Sequence, residues 1–419
     1  SYTVPIPKCD GRSRSLTVDD FRGISISPVI SKLFELAILN RFGHYFETSS
    51  HQFGFKKGLG CCHAIYSIRN VIEHFISNGS TVNVCAIDLS KAYDRMNKFA
   101  LYKALMERKL PIELLTILED WLNFSETCVK WGDKFSGFFK LLSGVRQGGV
   151  LSPVLFAIFI DILVLKINVS NIGCYMSSVC VSIFLYADDI LLLAPSITGL
   201  QQLVNICDSE IISLDMQINT KKSVCIRFGN DYDAKCENIV SLHGGVIAWV
   251  KCCRYLGVFF VSGRLFRCSF DHAKSSLFSS FNSIFGKVGR FASEEVVISL
   301  LKAKCLPCFL YGLEVCPVIM RDKRSFDFYI TRLFMKLFRT GSAAIVEECQ
   351  KHFDFLPIRY VIDIRTASFI ERYLESTNQI CMLFKQRAAS NLQIIFSNYG
   401  NTVCSSNSLK TIINTSFFG

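Results

Sequence analysis

The segment VCVSIFLYADDILLLA, residues 179–194, consists of two short apolar runs joined by Ala187, Asp188 and Asp189. Short apolar runs bounded by polar residues predict buried strands, and a break of this length predicts a tight hairpin with both carboxylates at its tip. Adjacent aspartates at the ends of buried strands repel each other and are poorly solvated unless a cation accompanies them. A solvated turn is the alternative, and it fits an isolated acidic pair better than this flanked one.

Asp88 adds a further carboxylate at the end of a predicted strand, because Thr81–Leu89 is a short apolar and β-branched run. Phosphoryl transfer can use two metal ions that are held by several oxygen ligands on rigid backbone. Mg²⁺ fits two or three aspartates when substrate phosphates complete its shell. We therefore predict that Asp88, Asp188 and Asp189 bind two Mg²⁺ ions, with Mn²⁺ as a substitute.

Length and charge limit the class of protein. The chain has 419 residues, 50% of them hydrophobic, which predicts two or three packed subdomains with a large buried interior. Its formal net charge of +11 favours a polyanionic partner such as nucleic acid. A solvated basic surface without a partner is the alternative.

The 19 cysteines are scattered, often inside apolar segments, which predicts buried free thiols in a reducing compartment. Cys305 and Cys308 have a metal-like spacing but no second pair, so we interpret them as core cysteines. Charged residues interrupt the longest apolar stretches, 155–167 and 179–195, and we expect no membrane span and no secretory signal. Because the chain opens with Ser rather than Met, we expect a fragment of something longer.

The coarse pattern along the chain predicts an α+β fold class. Helices are predicted over residues 25–46, 62–75, 97–109, 113–122, 152–166, 201–216, 270–290, 294–310 and 322–339. Further strands are predicted around residues 127–145, 223–229 and 253–261, while residues 1–23 are interpreted as polar and turn-rich. The chain thus changes from mixed α/β to mostly helical near residue 265.

Three stretches lie in order along the chain: Ala86–Asp94, Gly144–Phe156 and Tyr186–Asp189. They resemble the first palm motif, the arginine-glutamine-glycine and leucine-serine-proline motif, and the tyrosine-x-Asp-Asp box of one family. Further matches in the same order are Asp20–Ser25, Gln52–Phe55, Ile218–Ser223 and Tyr255–Gly257. By these motifs the chain resembles the reverse transcriptases of non-long-terminal-repeat (LINE-type, jockey-like) retrotransposons.

The resemblance implies a right-hand polymerase fold with fingers, an antiparallel-sheet palm and a helical thumb. It places fingers and palm at residues 1–265, the thumb at 266–340 and a helical C-terminal extension of unknown role at 341–419. The implied activity is RNA-directed DNA synthesis, with an RNA template, a DNA primer and deoxynucleoside triphosphates as partners. No membrane partner is implied, and the oligomeric state stays open. The implied location is intracellular, in the nucleus when the protein acts on chromosomal DNA and in the cytoplasm before that.

The resemblance also implies roles for individual residues. Asp88 and Asp188 are the principal metal ligands, Asp189 supports them, and the backbone carbonyl of Leu89 assists. Tyr93 is a steric gate against a 2′-hydroxyl, Gln147 braces the incoming nucleotide, and Gly148 allows close approach of the backbone. A core aromatic is the alternative interpretation of Tyr93.

Cations are implied around the triphosphate, because two metal ions do not cancel its charge. Lys8 and Arg22 are expected to bind it, and Lys222 is expected to protonate the pyrophosphate, with Lys221 as a competitor. The primer grip is assigned to Tyr255, Leu256 and Gly257. A basic group that we expect to follow template and primer phosphates comprises Lys251, Arg254, Arg264, Arg267, Lys274, Lys287 and Arg290.

Some positions depart from the family pattern, but none of them is a metal ligand. Gly23 stands where proline is usual, and Gly58–Cys62 replaces a more basic loop, which puts template contacts of the fingers in doubt. Two other functions remain open from the sequence. One is a catalytically silent retroelement fragment that only binds nucleic acid, and the other is an RNA-directed RNA polymerase, against which Tyr93 and the motif at 144–156 argue.

Overall fold

The computed structural model describes residues 1–8, 16–289, 291–400 and 402–419. These residues form two compact units. The first comprises Ser1–Gly60, Asn83–Cys225 and Lys235–Trp249, and the second comprises Cys61–Val82, Ile226–Ala234 and Val250–Gly419. Both contain helices and strands, which confirms the predicted α+β class.

The strands, in chain order, are β1 (Tyr2–Pro7), β2 (Phe21–Ile26), β3 (Val82–Ile87), β4 (Glu126–Trp131), β5 (Lys134–Phe135), β6 (Phe139–Lys140), β7 (Tyr175–Met176), β8 (Val179–Cys180), β9 (Ile183–Tyr186), β10 (Asp189–Ala194), β11 (Val224–Phe228), β12 (Ile239–Val240), β13 (Val246–Trp249), β14 (Cys252–Tyr255), β15 (Val258–Val261) and β16 (Arg267–Ser269).

The α-helices, in chain order, are α1 (Val29–Phe42), α2 (Cys61–Ser77), α3 (Ala92–Arg95), α4 (Lys98–Glu107), α5 (Ile112–Asn123), α6 (Ser152–Ile160), α7 (Ile162–Ser170), α8 (Ile197–Ser213), α9 (Asp271–Val288), α10 (Glu294–Leu300), α11 (Leu306–Phe309), α12 (Met320–Phe338), α13 (Ala343–His352), α14 (Ile358–Glu375), α15 (Gln379–Met382), α16 (Lys385–Ser397) and α17 (Ser406–Phe418). A π-helical turn, Leu301–Cys305, joins α10 to α11.

The main sheet has six strands in the order β12-β13-β11-β3-β10-β9. Strand β10 lies between β3 and β9 and is antiparallel to both, as expected for an antiparallel palm sheet. One pair departs from that expectation, because β11 and β13 are parallel. Almost all side chains of the central strands are buried on both faces, which explains why β3 and β10 are mostly apolar rather than alternating.

Helices α6, α7 and α8 contribute to the core of the first unit around this sheet. Helix α6 is apolar on all sides because almost all of its residues are buried. The stretch Ser152–Ser170 is long and apolar enough to cross a membrane by composition, but 61% of its most apolar window is buried inside the protein. The apolar composition of this stretch is therefore explained by its place in the core of the first unit. The predicted helix over 152–166 is confirmed, and the structure divides it at Asp161.

A smaller sheet in the first unit corrects the interpretation of residues 1–23 as turn-rich. Strands β1 and β2 pair antiparallel there, with Ile6 opposite Arg22, and β1 also pairs in parallel with β4. The prolines within β1 concealed the strand pattern, because proline is rare in strand interiors. The helix predicted from residue 25 begins only at Val29, since Ser25 still pairs with Thr3 in β2 and a proline precedes the helix.

The second unit contains the sheet β14-β15-β16 and most of the helices. Helix α2 belongs to it, and its Ser67 hydroxyl lies 2.9 Å from the Tyr373 hydroxyl of α14 in a buried contact. Helices α14 and α17 build a core of their own around Ala367, Leu409 and Ile413. The helices predicted beyond residue 265 are confirmed, while the domain limits at 265 and 340 stay predictions. The cysteines that the structure describes are all free thiols, and more than half are buried.

Candidate active site

The three carboxylates lie where strands of the main sheet begin or end. Strand β3 stops at Ile87 and β10 starts at Asp189, and the register pairs Ile190 with Ile87. Asp88 and Asp189 are therefore neighbours at one edge of the sheet. Tyr186 pairs with Asp189, so the β9–β10 hairpin turns through Ala187 and Asp188 alone. The hairpin predicted from residues 179–194 is confirmed.

The carboxylates influence one another electrostatically. Burial raises the pKa of Asp188, and the Asp88 carboxylate raises it further, while a backbone hydrogen bond and Arg22 act in the opposite direction. Desolvation at the strand end, followed by repulsion from Asp188 and Asp88, raises the pKa of Asp189 to about 6. The Asp189 residue is exposed as a whole, so solvent screens part of this repulsion. The edge carries excess negative charge that a cation would relieve.

A cavity of about 410 Å³ opens at this edge of the sheet. It is lined by residues from distant parts of the first unit: Lys8, Phe21, Arg22, Ile24, Asp88, Leu89, Lys91, Ala92, Tyr93, Asp94, Arg146, Gln147, Gly148, Ser152, Pro153, Asp188 and Lys222. The predicted metal, nucleotide and pyrophosphate residues thus come together, with one exception. Asp189 is exposed and does not line the cavity.

Tyr93 forms part of the wall of this cavity. Its ring stacks on Phe156, with the ring centroids 4.5 Å apart and the planes 27° from parallel. Phe156 is fully buried, so it gives the Tyr93 ring a rigid support. Burial raises the pKa of the Tyr93 hydroxyl, and Asp188 and Asp189 add to the effect. The phenol therefore stays neutral, and its ring is held against Phe156 in the cavity wall.

Gln147 lies in the loop that connects the small sheet to α6. The loop is fastened to β2 by a 2.7 Å hydrogen bond from the Ser25 N–H to the Gln147 carbonyl. The Gln147 amide donates to Asp94 Oδ1 at 3.3 Å. Gly148 has φ +122°, and a Cβ there would come within 2.4 Å of the Ser25 carbonyl oxygen. Only glycine allows this approach, which explains the residue type at 148.

Glu35 fastens the same loop from the other side, and sequence analysis assigned it no role. This buried carboxylate of α1 accepts hydrogen bonds from the N–H groups of Val150 at 2.6 Å and Leu151 at 2.9 Å. These N–H groups lie just before α6, where a negative charge is favourable. The sequence carried no clear signal for this role, because α1 also contains Lys32, Asn40 and Arg41 and nothing local marks Glu35 as the buried charge.

Lys222 lies at the mouth of the cavity beside Asp88, with Nζ 3.9 Å from Asp88 Oδ2. Its segment is fixed to the end of β3 by a 2.8 Å bond from the Asn219 N–H to the Asp88 carbonyl and a 3.0 Å bond from the Asp88 N–H to Ser223 Oγ. The Lys222 side chain is 66% exposed, so the ion pair is weak. Lys221 does not line the cavity, which favours Lys222 for the predicted role.

The donor set at the cavity suits a hard cation. Across the described residues, no three His, Cys, Asp or Glu side chains are grouped closely enough to hold a metal ion by themselves. Asp88 and Asp188, two of the three aspartates that line the cavity, nevertheless lie there together with Leu89. Mg²⁺ typically takes one or two carboxylates and completes its shell with water and substrate phosphates. The residues present therefore fit Mg²⁺ in the company of a nucleotide.

The predicted primer-grip residues lie in the second unit. They form the turn of the β14–β15 hairpin, in which Tyr255 pairs with Val258. Leu256 has φ +45° and Gly257 has φ +81°. The Tyr311 hydroxyl donates to the Leu256 carbonyl at 3.0 Å. The described members of the predicted basic group are exposed except for Lys274, which is partly buried, and Arg290 lies outside the described residues.

The comparisons with known proteins agree with this geometry. Residues 6–260 match the family model described as reverse transcriptase (RNA-dependent DNA polymerase). The RNA-directed DNA polymerase from mobile element jockey of Drosophila melanogaster is 25% identical over 315 residues, which cover 71% of this chain and 33% of that protein. The Pol polyprotein from the type-1 retrotransposable element R2 of Nasonia vitripennis is 28% identical over 203 residues, or 48% and 19% of the two chains.

The chain thus spans a third or less of the length of these relatives. A solved telomerase from Candida tropicalis, in complex with a fragment of telomeric RNA, aligns at a TM-score of 0.42 and 14% identity, covering 92% of this chain and 57% of that one. The resemblance that the motifs predicted is confirmed by the family match and by the retroelement relatives. With the family model covering more than half of the chain and all three carboxylates, the chain belongs to the reverse transcriptase (RNA-dependent DNA polymerase) family.

Proposed function

We propose that this chain is an RNA-directed DNA polymerase, a nucleotidyltransferase that adds deoxynucleotides to a primer 3′-hydroxyl. The observation that carries the proposal is the cavity in the first unit. There Asp88 and Asp188 meet Tyr93, Gln147 and the predicted cationic residues, although these groups come from well-separated segments. The substrates are an RNA template, a DNA primer and deoxynucleoside triphosphates, which require an intracellular setting. Membership of the reverse transcriptase family supports this choice of substrates.

Asp88 and Asp188 are the residues that would hold Mg²⁺, with Asp189 as a supporting charge. Bound Mg²⁺ would supply a lower pKa for the primer hydroxyl and charge neutralisation for the departing pyrophosphate. The aspartates suit this task because the partly buried Asp188 is repelled by Asp88, and a nearby cation stabilises its ionised form. Their placement at strand ends keeps the oxygen ligands on rigid backbone.

The remaining cavity residues bind and select the nucleotide. Lys8 and Arg22 are positioned for the triphosphate, since both line the cavity and Arg22 acts electrostatically on Asp188. The Tyr93 ring, fixed by Phe156, excludes a 2′-hydroxyl. Gln147, held by the Ser25 N–H and by Asp94, braces the sugar or base. Tyr93 and Gln147 are thus positioned by contacts within the protein before substrate arrives.

Lys222 is the proposed proton donor to the pyrophosphate. Its exposed, weak contact with Asp88 leaves the ammonium free to move to a bound triphosphate. Proton donation to the leaving oxygen at that point stabilises the charge that develops as the bond to the primer oxygen forms and the bond to pyrophosphate breaks. Leu256 and Gly257 offer backbone groups for the primer, by the role that the family resemblance implies.

The proposal is tested by primer extension. The purified chain is given a DNA primer on an RNA template with deoxynucleotides and Mg²⁺, and extended primer is the expected product. Asp188→Ala should reduce the rate on the order of 1000-fold or more. Asp120→Ala, an exposed aspartate of α5 outside the cavity, is the matched control and should keep the rate.

Three outcomes would overturn the proposal. Binding of primer and template without any extension would leave the chain as a nucleic-acid-binding protein. Primer extension by the Asp188→Ala variant would show that the cavity is not the site of the reaction. Efficient use of ribonucleotides in place of deoxynucleotides by the unaltered chain would replace the proposed substrate class.

A further inference from the structure

The segment His51–Gly54 runs beside strand β9 and continues the sheet. The Leu185 N–H donates to the His51 carbonyl at 2.9 Å, and the Phe53 N–H donates to the Leu185 carbonyl at 2.8 Å. Gln52 thereby pairs in parallel with Leu185, two residues before Ala187, where the turn of the β9–β10 hairpin begins. Its side chain is fully buried.

The Gln52 side chain reaches the turn itself. Its Oε1 accepts from the Gly54 N–H at 2.9 Å and from the Ala187 N–H at 3.1 Å. Two N–H donors point to one atom, which identifies that atom as the oxygen of the amide. Ala187 has φ +57°, a left-handed conformation that is unfavourable for any residue with a Cβ. The bond from Gln52 therefore holds a turn that the backbone would not favour alone.

Gln52 can do this because its own segment is anchored to the core. The Ser49 N–H donates to both oxygens of the buried Asp161 carboxylate, at 3.1 and 3.0 Å, and Arg108 completes that site with a 2.9 Å bond. His51 donates from Nε2 to the Cys180 carbonyl at 2.8 Å. A Cβ at Gly54 would come within 2.7 Å of the Ala187 nitrogen, so the segment and the turn are in close contact.

We propose that Gln52 is a positioning residue for the reaction: through the Ala187 N–H it sets the conformation of the Ala187–Asp188 turn and so the direction of the Asp188 carboxylate. Gln52 touches neither substrate nor the reacting atoms. The inference rests on the proposed polymerase function. It predicts that loss of the Gln52 oxygen alters the rate of the chemical step more than the binding of nucleotide, since the residues expected to hold the nucleotide are elsewhere in the cavity.

The first test compares Gln52→Leu with Gln201→Leu. Gln201 is a matched control, because its side-chain amide also makes two backbone bonds, to Val240 at 2.7 and 2.9 Å, in the first unit away from the turn. Gln52→Leu should lower kcat roughly 10- to 100-fold and leave KM for the nucleotide within about threefold. Gln201→Leu should lower the Tm by about as much as Gln52→Leu does, but it should leave kcat unchanged. An unchanged kcat in Gln52→Leu, or a change confined to KM, would overturn the inference.

The second test places the same substitution in an Ala187→Gly background. Glycine adopts positive φ at little cost, so the turn should depend less on Gln52 when residue 187 is glycine. The loss of kcat caused by Gln52→Leu should therefore shrink at least about threefold in that background. An equal loss in both backgrounds would show that Gln52 acts in some way other than through the conformation of Ala187.

Gly54→Ala serves if Gln52→Leu does not fold. It keeps the Gln52 oxygen but presses a methyl group against the Ala187 nitrogen, and it should give the same fall in kcat, again smaller in the Ala187→Gly background. A normal kcat in Gly54→Ala would count against the inference. If the unaltered chain extends no primer, the polymerase proposal itself fails; if it extends primer and these variants match it, only the role of Gln52 fails.

Discussion

Two hairpin turns, one in each unit, have the same length but are built from different residues. The β9–β10 hairpin turns through Ala187 and Asp188, and the β14–β15 hairpin turns through Leu256 and Gly257. Both turns contain left-handed residues, with φ +57° at Ala187, +45° at Leu256 and +81° at Gly257. Such angles match the twist of paired strands, which is why short hairpins use them.

The two turns differ in what holds them. The first has no glycine and is held from inside by the fully buried Gln52. The second uses Gly257 and a hydrogen bond from Tyr311, a residue that is 43% exposed. A turn that carries charged side chains needs a fixed direction, which a buried acceptor provides. A turn that offers only its backbone can rely on the tolerance of glycine.

Of the effects expected to separate the two regions, the largest concerns nucleotide selection, which we assign to the cavity of the first unit alone. Tyr93→Val removes the ring that Phe156 supports and opens space beside the sugar. We expect the preference for deoxynucleotides over ribonucleotides to fall by about 10- to 100-fold, measured as the ratio of kcat/KM values. Tyr311→Phe, which removes only the hydroxyl near the second turn, should leave that ratio unchanged. A lower ratio of the kcat/KM values in Tyr311→Phe would contradict the assignment of nucleotide selection to the first unit alone.

An intermediate effect concerns stability of the second turn. Gly257→Ala introduces a Cβ at φ +81° that would lie 2.7 Å from the Tyr311 ring. We expect a loss of about 1 to 2 kcal/mol in the free energy of unfolding, measured by urea denaturation. Ala187→Gly should not show a loss of this size, because relief of the left-handed strain opposes the entropy cost of glycine. Equal losses of unfolding free energy in the two variants would contradict the inference that the two turns are stabilised in different ways.

The smallest expected effect is a pH dependence confined to the first turn. The pKa of Asp189 is raised to about 6 in the folded chain, so the folded state binds this proton more tightly than the unfolded state does. Without divalent cations, stability should therefore fall as the pH rises from about 4 to about 6, by an amount that solvent exposure keeps small. Asp189→Asn should abolish this contribution, which thermal unfolding at several pH values would detect.

Gly257→Ala is the control for that measurement, because no acidic residue lies within its turn. Its effect on the Tm should be the same at pH 4 and pH 7. Added Mg²⁺ should recover stability above pH 6 in the unaltered chain and less in Asp189→Asn. A rise in stability between pH 4 and pH 6 that depends on Asp189 would reverse the sign and contradict the electrostatic account of the sheet edge.

Much of the fold was predictable, because strands and helices follow local patterns. The apolar runs around Asp88 and Asp188–Asp189 predicted strands β3, β9 and β10, and the structure confirms them. Residues 1–23 were misinterpreted, since prolines in β1 conceal a strand whose partner is a separate segment. The apolar positions of α1 predicted a helix correctly, but most of that helix is exposed, with Val29 at 73% and Ile30 at 80%. Periodicity indicates a helix and does not reveal what covers it.

The sequence by itself determined which residues we expect to bind metal and nucleotide, in what order they occur, and on what kind of secondary structure they lie. Only the tertiary structure decided how those groups are held. Gln52 meets Ala187 across 135 positions, and Glu35 meets Val150 across 115. A buried hydrogen bond between distant segments leaves no periodic signal in the chain, because its partners become neighbours only when the sheet and helices pack. The positions of the carboxylates come from their strands, and we propose that the direction of Asp188 comes from the buried bond between Gln52 and Ala187.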